Sequence, residues 1–211
     1  MSHPGLPQRQ GLYAPEQEHD ACGVGFIAHI KGARSHAIVE QGLQILKNLS
    51  HRGATGADPL AGDGAGILIQ IPDGFLRREL GTRNITLPAA GQYAVGMLFL
   101  PRATIPRVEC EQIIAAVVKE EGQELLGWRD VPTNNARLGK GVRLVEPLVR
   151  QVFIGCDDYD AAAFERKLFV IRKVVEHRVR ALTLPGIEAF YIPSLSARTL
   201  VYKGMLLADQ V

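Results

Sequence analysis

The sequence predicts an α+β fold. Apolar runs of strand length alternate with helical stripes, and the final two runs are joined by a short turn, which favours a sheet with antiparallel pairs. Composition permits a packed core: of 211 residues, 46% are hydrophobic and 22% charged, ordinary globular proportions.

Several classes are disfavoured at once. A net charge of +2 is too small to argue for nucleic acid or an anionic membrane. No run reaches the roughly 18–20 apolar residues that cross a bilayer. Cysteines stand only at 22, 110 and 156. So sparse and odd a set is neither a disulfide framework nor a cysteine-rich metal site, and a reducing cytoplasm is the expected setting. The histidines form no pair at metal-ligand spacing, so no metal site is expected.

Residues 1–21 are rich in proline, glutamine and charge. They read as an irregular leader with no apolar signal core. The folded pattern begins at Cys22, and Cys22 to Ile30 reads as a buried strand. Ser35 to Leu49 suits a helix capped by Ser35, with Ile38, Leu43, Ile45, Leu46 and Leu49 inward. Five glycines then fall between positions 53 and 66, marking a loop. Ile67 to Ile71 is a short strand, Phe75 to Leu80 a short helix, and Tyr93 to Leu100 a strand closed by Pro101.

Pro106 to Gly122 is helical, with Val108, Ile113, Ile114, Val117 and Val118 inward. Leu125 to Val131 reads as a strand, Asn134 to Gly141 as a polar loop, and Val149 to Gly155 as a strand. The longest helix runs from about Ala161 to Leu182. Phe164, Leu168, Ile171, Val175, Val179 and Leu182 form its apolar stripe, with Glu176 and His177 off it, and Pro185-Gly186 ends it. Ala189 to Leu195 and Thr199 to Leu206 read as a closing hairpin.

Cys22 is the candidate catalytic residue because of its place at the boundary between leader and fold. Cys110 and Cys156 read as small buried hydrophobes. If the chain is cut before Cys22, the new α-amino group has a pKa near 7.7–8.0, about a unit from a free thiol. The amine can then act as base for the thiol of its own residue, and the thiolate can attack a carboxamide. Gly23-Val-Gly25-Phe-Ile-Ala28 also matches a dinucleotide-binding fingerprint, but no strand pattern precedes it. The glycine loop lacks the Lys-Ser or Lys-Thr of a P-loop. Its glycines allow close backbone approach to a ligand or another loop.

Three stretches carry a resemblance. Cys22-Gly-Val-Gly-Phe-Ile-Ala, Leu49-Ser-His-Arg-Gly-Ala and Gly62-Asp-Gly-Ala-Gly-Ile-Leu, in that order, look like the glutamine amidotransferase domain of the glutamate synthase large subunit. Tyr191-Ile-Pro-Ser-Leu-Ser-Ala-Arg-Thr-Leu-Val-Tyr-Lys-Gly-Met-Leu is similar to a later stretch of that domain. The resemblance implies an N-terminal-nucleophile (Ntn) hydrolase fold, an αββα sandwich. It implies that residues 1–21 are a propeptide, that residues 22–211 are the N-terminal part of the domain, and that Cys22 is the nucleophile. Arg52, Gly53, Asp63 and Gly64 would form the loop around it.

For the full-length enzyme the resemblance implies glutamine as substrate and ammonia passed to 2-oxoglutarate. It also implies FMN and an iron–sulfur cluster in other domains of the large subunit, and a small NADPH-oxidising subunit as partner. No cofactor is expected in this segment.

The family's glutamine-gripping Arg-Phe-Ser-Thr-Asn-Thr motif and its oxyanion-hole His-Asn-Gly-Glu motif are absent from these 211 residues. The expectation is therefore an incomplete sandwich, poorly soluble or self-associating, with little or no glutaminase activity by itself. The alternative is a non-catalytic binding or regulatory module that keeps an Ntn-like fold.

Overall fold

The computed structural model describes residues 8–11, 14, 23–50, 58–156 and 160–211. The chain divides into two compact units, Met1–Ala65 with Met205–Val211, and Gly66–Gly204.

The second unit is layered. Its main sheet has the order β3-β4-β2-β5, where β2 is Tyr93–Leu100, β3 Glu124–Asp130, β4 Leu148–Gly155 and β5 Tyr191–Ser196. Every pair in it is antiparallel. Side chains alternate across a strand, and β2 uses both faces. Ala94, Leu98 and Leu100 join one core, with Val152 and Ile154 of β4. Tyr93, Val95 and Met97 join a second core, with Phe153.

The first core is closed by α3 (Thr104–Glu120) and α5 (Ala161–Arg180). Along α5 the stripe Phe164, Leu168, Ile171, Val175 and Val179 is buried, as its spacing requires. Each such side chain contributes roughly 1.5–3 kcal/mol through burial. Asp160 starts the helix, its carboxylate accepting from the amides of Ala162 (2.8 Å) and Ala163 (3.2 Å). The helix stops at Arg180, earlier than the expected Leu182. Pro185 keeps the residue before it out of the helical region, and the closing amide of Ala181 bonds back to His177 and Arg178.

The second core lies between that sheet and a two-stranded sheet of β1 (Ala65–Gln70) and β6 (Thr199–Gly204). Leu76 and Leu80 of α2 (Asp73–Gly81) are fully enclosed in it with Leu200. A polar network crosses this core. Arg129 donates to Gln151 Oε1 (3.1 Å) and to Glu79 (3.1 Å), and Gln151 donates to the Tyr202 hydroxyl (3.3 Å). Burial pushes the Tyr202 phenol up.

Four further sequence expectations are corrected. Residues 23–29 form no strand, and Val24, Phe26 and Ile30 are exposed. An apolar run becomes a strand only where a neighbour supplies the ladder, and the described residues offer none here. The closing pair is not a hairpin, because β5 pairs with β2 and β6 with β1. The turn between them carries the chain from one sheet to the other.

Val108 is exposed, and Cys110 takes the inward position on α3. Glu176 is buried on α5 because Arg172 (2.9 Å) and Lys173 (3.1 Å) donate to it. Residues 134–139 form the expected loop, and a short helix that the sequence did not suggest, α4 (Lys140–Val145), takes up its last two positions. Arg143 on α4 holds that loop by donating to the carbonyls of Leu138 (3.0 Å) and Ala136 (2.7 Å).

Candidate functional site

Asp63 and Gly64 are the candidate site residues that the structure describes. Cys22, Arg52 and Gly53 lie outside the described residues, as does His51.

The first unit contains α1 (His36–Asn48), with Ser35 at its N-cap position. The Ser35 side chain makes no capping bond. Ile38, Leu43, Ile45, Leu46 and Leu49 share the half-buried face, as expected. The segment after Cys22 passes over this helix. A Cβ on Gly23 would stand 3.0 Å from Leu49 Cδ2, and one on Gly25 would stand 2.5 Å from Ile45 Cγ2. The second distance is shorter than real Cβ contacts allow, so Gly25 permits the crossing. The two glycines thus serve close packing on α1. They do not open a helix, which removes the dinucleotide-fingerprint reading.

The second half of the glycine loop is ordered by short-range bonds. The Asp58 carboxylate accepts from the Leu60 amide (2.9 Å), and its carbonyl accepts from the Ala61 amide (3.0 Å). Gly62 is buried, and a Cβ there would sit 2.3 Å from the Leu206 carbonyl oxygen. Gly64 has φ +129, a conformation that glycine alone adopts easily. Asp63 and Gly64 are exposed between these fixed points.

Sequence reasoning missed what holds the loop. Gln210 accepts from the Leu207 amide (2.8 Å) and donates to the Leu60 carbonyl (3.3 Å). No local pattern marks a glutamine whose partner stands 150 positions away.

The other cysteines fit their bland reading. Cys110 is enclosed, and burial pushes its thiol up to about 12. Cys156 is half-buried beside the first core. With Cys110 sealed away, at most two of the three cysteines could ligate iron, too few for a cysteine-ligated cluster. Among the described residues no three His, Cys, Asp or Glu stand together as a metal site, and no helix is long and apolar enough to cross a membrane.

The family model for class-II glutamine amidotransferases matches residues 22–211, and the chain belongs to that family. Members of this class are Ntn hydrolases. Its relatives include the glutamate synthase (NADPH) large chain of Bacillus subtilis, 49% identical over 100% of this chain and 14% of the relative. The glutamate synthase (NADH) of Schizosaccharomyces pombe is 42% identical over 98% of this chain and 10% of the relative. The glutamate synthase (NADPH) large chain of Azospirillum brasilense is 40% identical over 94% and 13% respectively. These relatives are enzymes, and the chain spans 10–14% of their length.

Proposed function

We propose that this chain supplies the glutamine-hydrolysing centre of a glutamate synthase, with Cys22 as nucleophile after removal of residues 1–21. The observation that carries this reading is the packing of Gly23 on Leu49. Gly23 follows Cys22 directly. Leu49 closes α1 three positions before Arg52 in sequence, so the contact supports the reading that Cys22 and Arg52 act at one site. The family match opening at Cys22 supports the same boundary.

In this reading the Cys22 α-amine takes the thiol proton, directly or through a water. The thiolate attacks the glutamine side-chain carbonyl carbon. The tetrahedral intermediate collapses, the C–N bond breaks, and the nitrogen leaves as ammonia with the transferred proton. Water, deprotonated by the same amine, then cleaves the thioester and releases glutamate. Arg52 and Gly53, with Asp63 and Gly64, form the wall around the thiol.

Ammonia would pass to 2-oxoglutarate elsewhere in the longer protein, where FMN and an iron–sulfur cluster would serve. The cysteines here do not fit that cluster, and the layers of the second unit would belong to an αββα sandwich. Glutamine, the other domains and a small electron-donating subunit are the partners of this reading, and the cytoplasm its setting.

The test is N-terminal sequencing and glutaminase assay of the protein in its longer, synthase-length form. A mature terminus at Cys22 and loss of ammonia release in Cys22→Ala are expected. Full turnover in Cys22→Ala would overturn the assignment.

A further inference from the structure

A second place on the molecule has the features of a binding site, and it owes nothing to Cys22. At the C-terminal end of α5 a cavity of about 310 Å³ opens between the helix, the 3₁₀ turn Ile187–Ala189 and the start of β5. That volume lies at the lower end of the range for small-molecule sites, roughly 300–1,000 Å³. Val179 and Phe190 give it an apolar lining, and Arg180, Glu188, Glu176 and Tyr191 add polar groups.

The state of each polar group sets the ligand chemistry. Glu176 is already neutralised by Arg172 and Lys173. Elsewhere on α5, Lys167 is paired with Glu121 and Arg178 with Glu120. Arg180 makes no ion pair or hydrogen bond among the described residues, and neither does Glu188. They do not pair with each other although both line the same space. The Tyr191 hydroxyl accepts from Lys203 Nζ (2.9 Å), whose ammonium also lies over the ring (4.6 Å to its centre). With its oxygen so engaged, the phenol's proton is left to donate elsewhere.

We propose that this cavity binds a free α-amino acid as a zwitterion, its carboxylate on Arg180 and Tyr191, its ammonium on Glu188, and its side chain against Val179 and Phe190. A dianion would meet one guanidinium and face Glu188. A simple amine would leave Arg180 without a counter-charge. A zwitterion satisfies both free charges. Every residue in it belongs to the second unit, whereas the residues of the catalytic reading belong to the first.

The probe is L-leucine, which has no carboxamide to hydrolyse, measured by equilibrium dialysis on the protein in its longer, synthase-length form. Saturable binding is expected, weakened about tenfold or more in Arg180→Gln and in Glu188→Gln and unchanged in Cys22→Ala. N-acetyl-leucine lacks the ammonium and leucinamide the carboxylate, and both should bind about tenfold more weakly. These two probes test the wild type alone, so a variant that fails to fold does not block the result. No saturable leucine binding below about 10 mM, equal binding of the blocked probes, or loss of binding in Cys22→Ala would each overturn the proposal.

Discussion

Glu165 on α5 accepts hydrogen bonds from the Ser196 hydroxyl (2.9 Å) and from the Ala197 amide (2.7 Å). Ser196 Oγ in turn accepts from the amides of Arg198 (3.0 Å) and Thr199 (3.3 Å). One carboxylate thus ties the helix layer to the turn that leaves the main sheet. Glu165→Ala removes the acceptor of both donors and should cost about 1–3 kcal/mol, read by urea unfolding. Glu165→Gln keeps one acceptor oxygen and should cost less.

Arg129 is enclosed on β3, and it is the donor for fully buried Gln151. Its other partner, Glu79, is 40% exposed, so solvent can take over that charge when the guanidinium is removed. Arg129→Met should therefore cost about 1–3 kcal/mol, the penalty of an unpaired amide, and less than the loss of a fully buried ion pair. A cost equal to that of the double variant Arg129→Met/Gln151→Leu would show that Gln151 finds another donor.

The Asp160 carboxyl is held below its usual range, first by the Ala163 amide and then by the Ala162 amide. Its folded pKa is lower than its unfolded one. It therefore stabilises the fold above the unfolded carboxyl pKa, and that contribution disappears as pH falls through the folded value. Asp160→Ala should lower Tm at pH 7, and the difference from wild type should shrink as the pH is taken below the carboxylate range. Thermal unfolding at both pH values measures it.

A Cβ on Gly62 would meet backbone, which cannot step aside as a flexible side chain can. Gly62→Ala should push the loop off residues 206–207 and destabilise the chain by about 1–3 kcal/mol. Hydrogen exchange should quicken at the Leu207 amide, which is protected by Gln210. Unchanged exchange there would separate the loop from its anchor.

The Cys110 thiol has both burial and a pKa pushed up to about 12 against it. At pH 8 the thiolate fraction is on the order of 10⁻⁴. Mass spectrometry after iodoacetamide treatment of the folded chain should find Cys110 unlabelled, and labelled once the chain is denatured.

Elements driven by their own residues could be read from sequence. β2 was legible in full because eight consecutive apolar positions end at a proline, and the α5 stripe because its period is helical. Partnership was not legible. Whether residues 23–29 join a sheet, and which sheet receives β6, depends on strands far along the chain. Glu176 was placed off the apolar stripe because period alone ignores what its neighbours donate. Within the candidate site, Gly62 and Gly64 could be recognised as glycines that the backbone needs, whereas Gln210 has a partner no local pattern could reveal.

The change of sheet after Ser196 has a consequence for biosynthesis. β1 ends at Gln70, and its partner β6 begins at Thr199, about 130 residues later. At roughly 5–20 residues per second, β1 leaves the ribosome about ten seconds before the strand that completes it. Strands β2, β3 and β4 can pair while β1 waits with its edge open, whereas β5, the fourth strand of the main sheet, emerges only just before β6, and the glycine loop before β1 is anchored last.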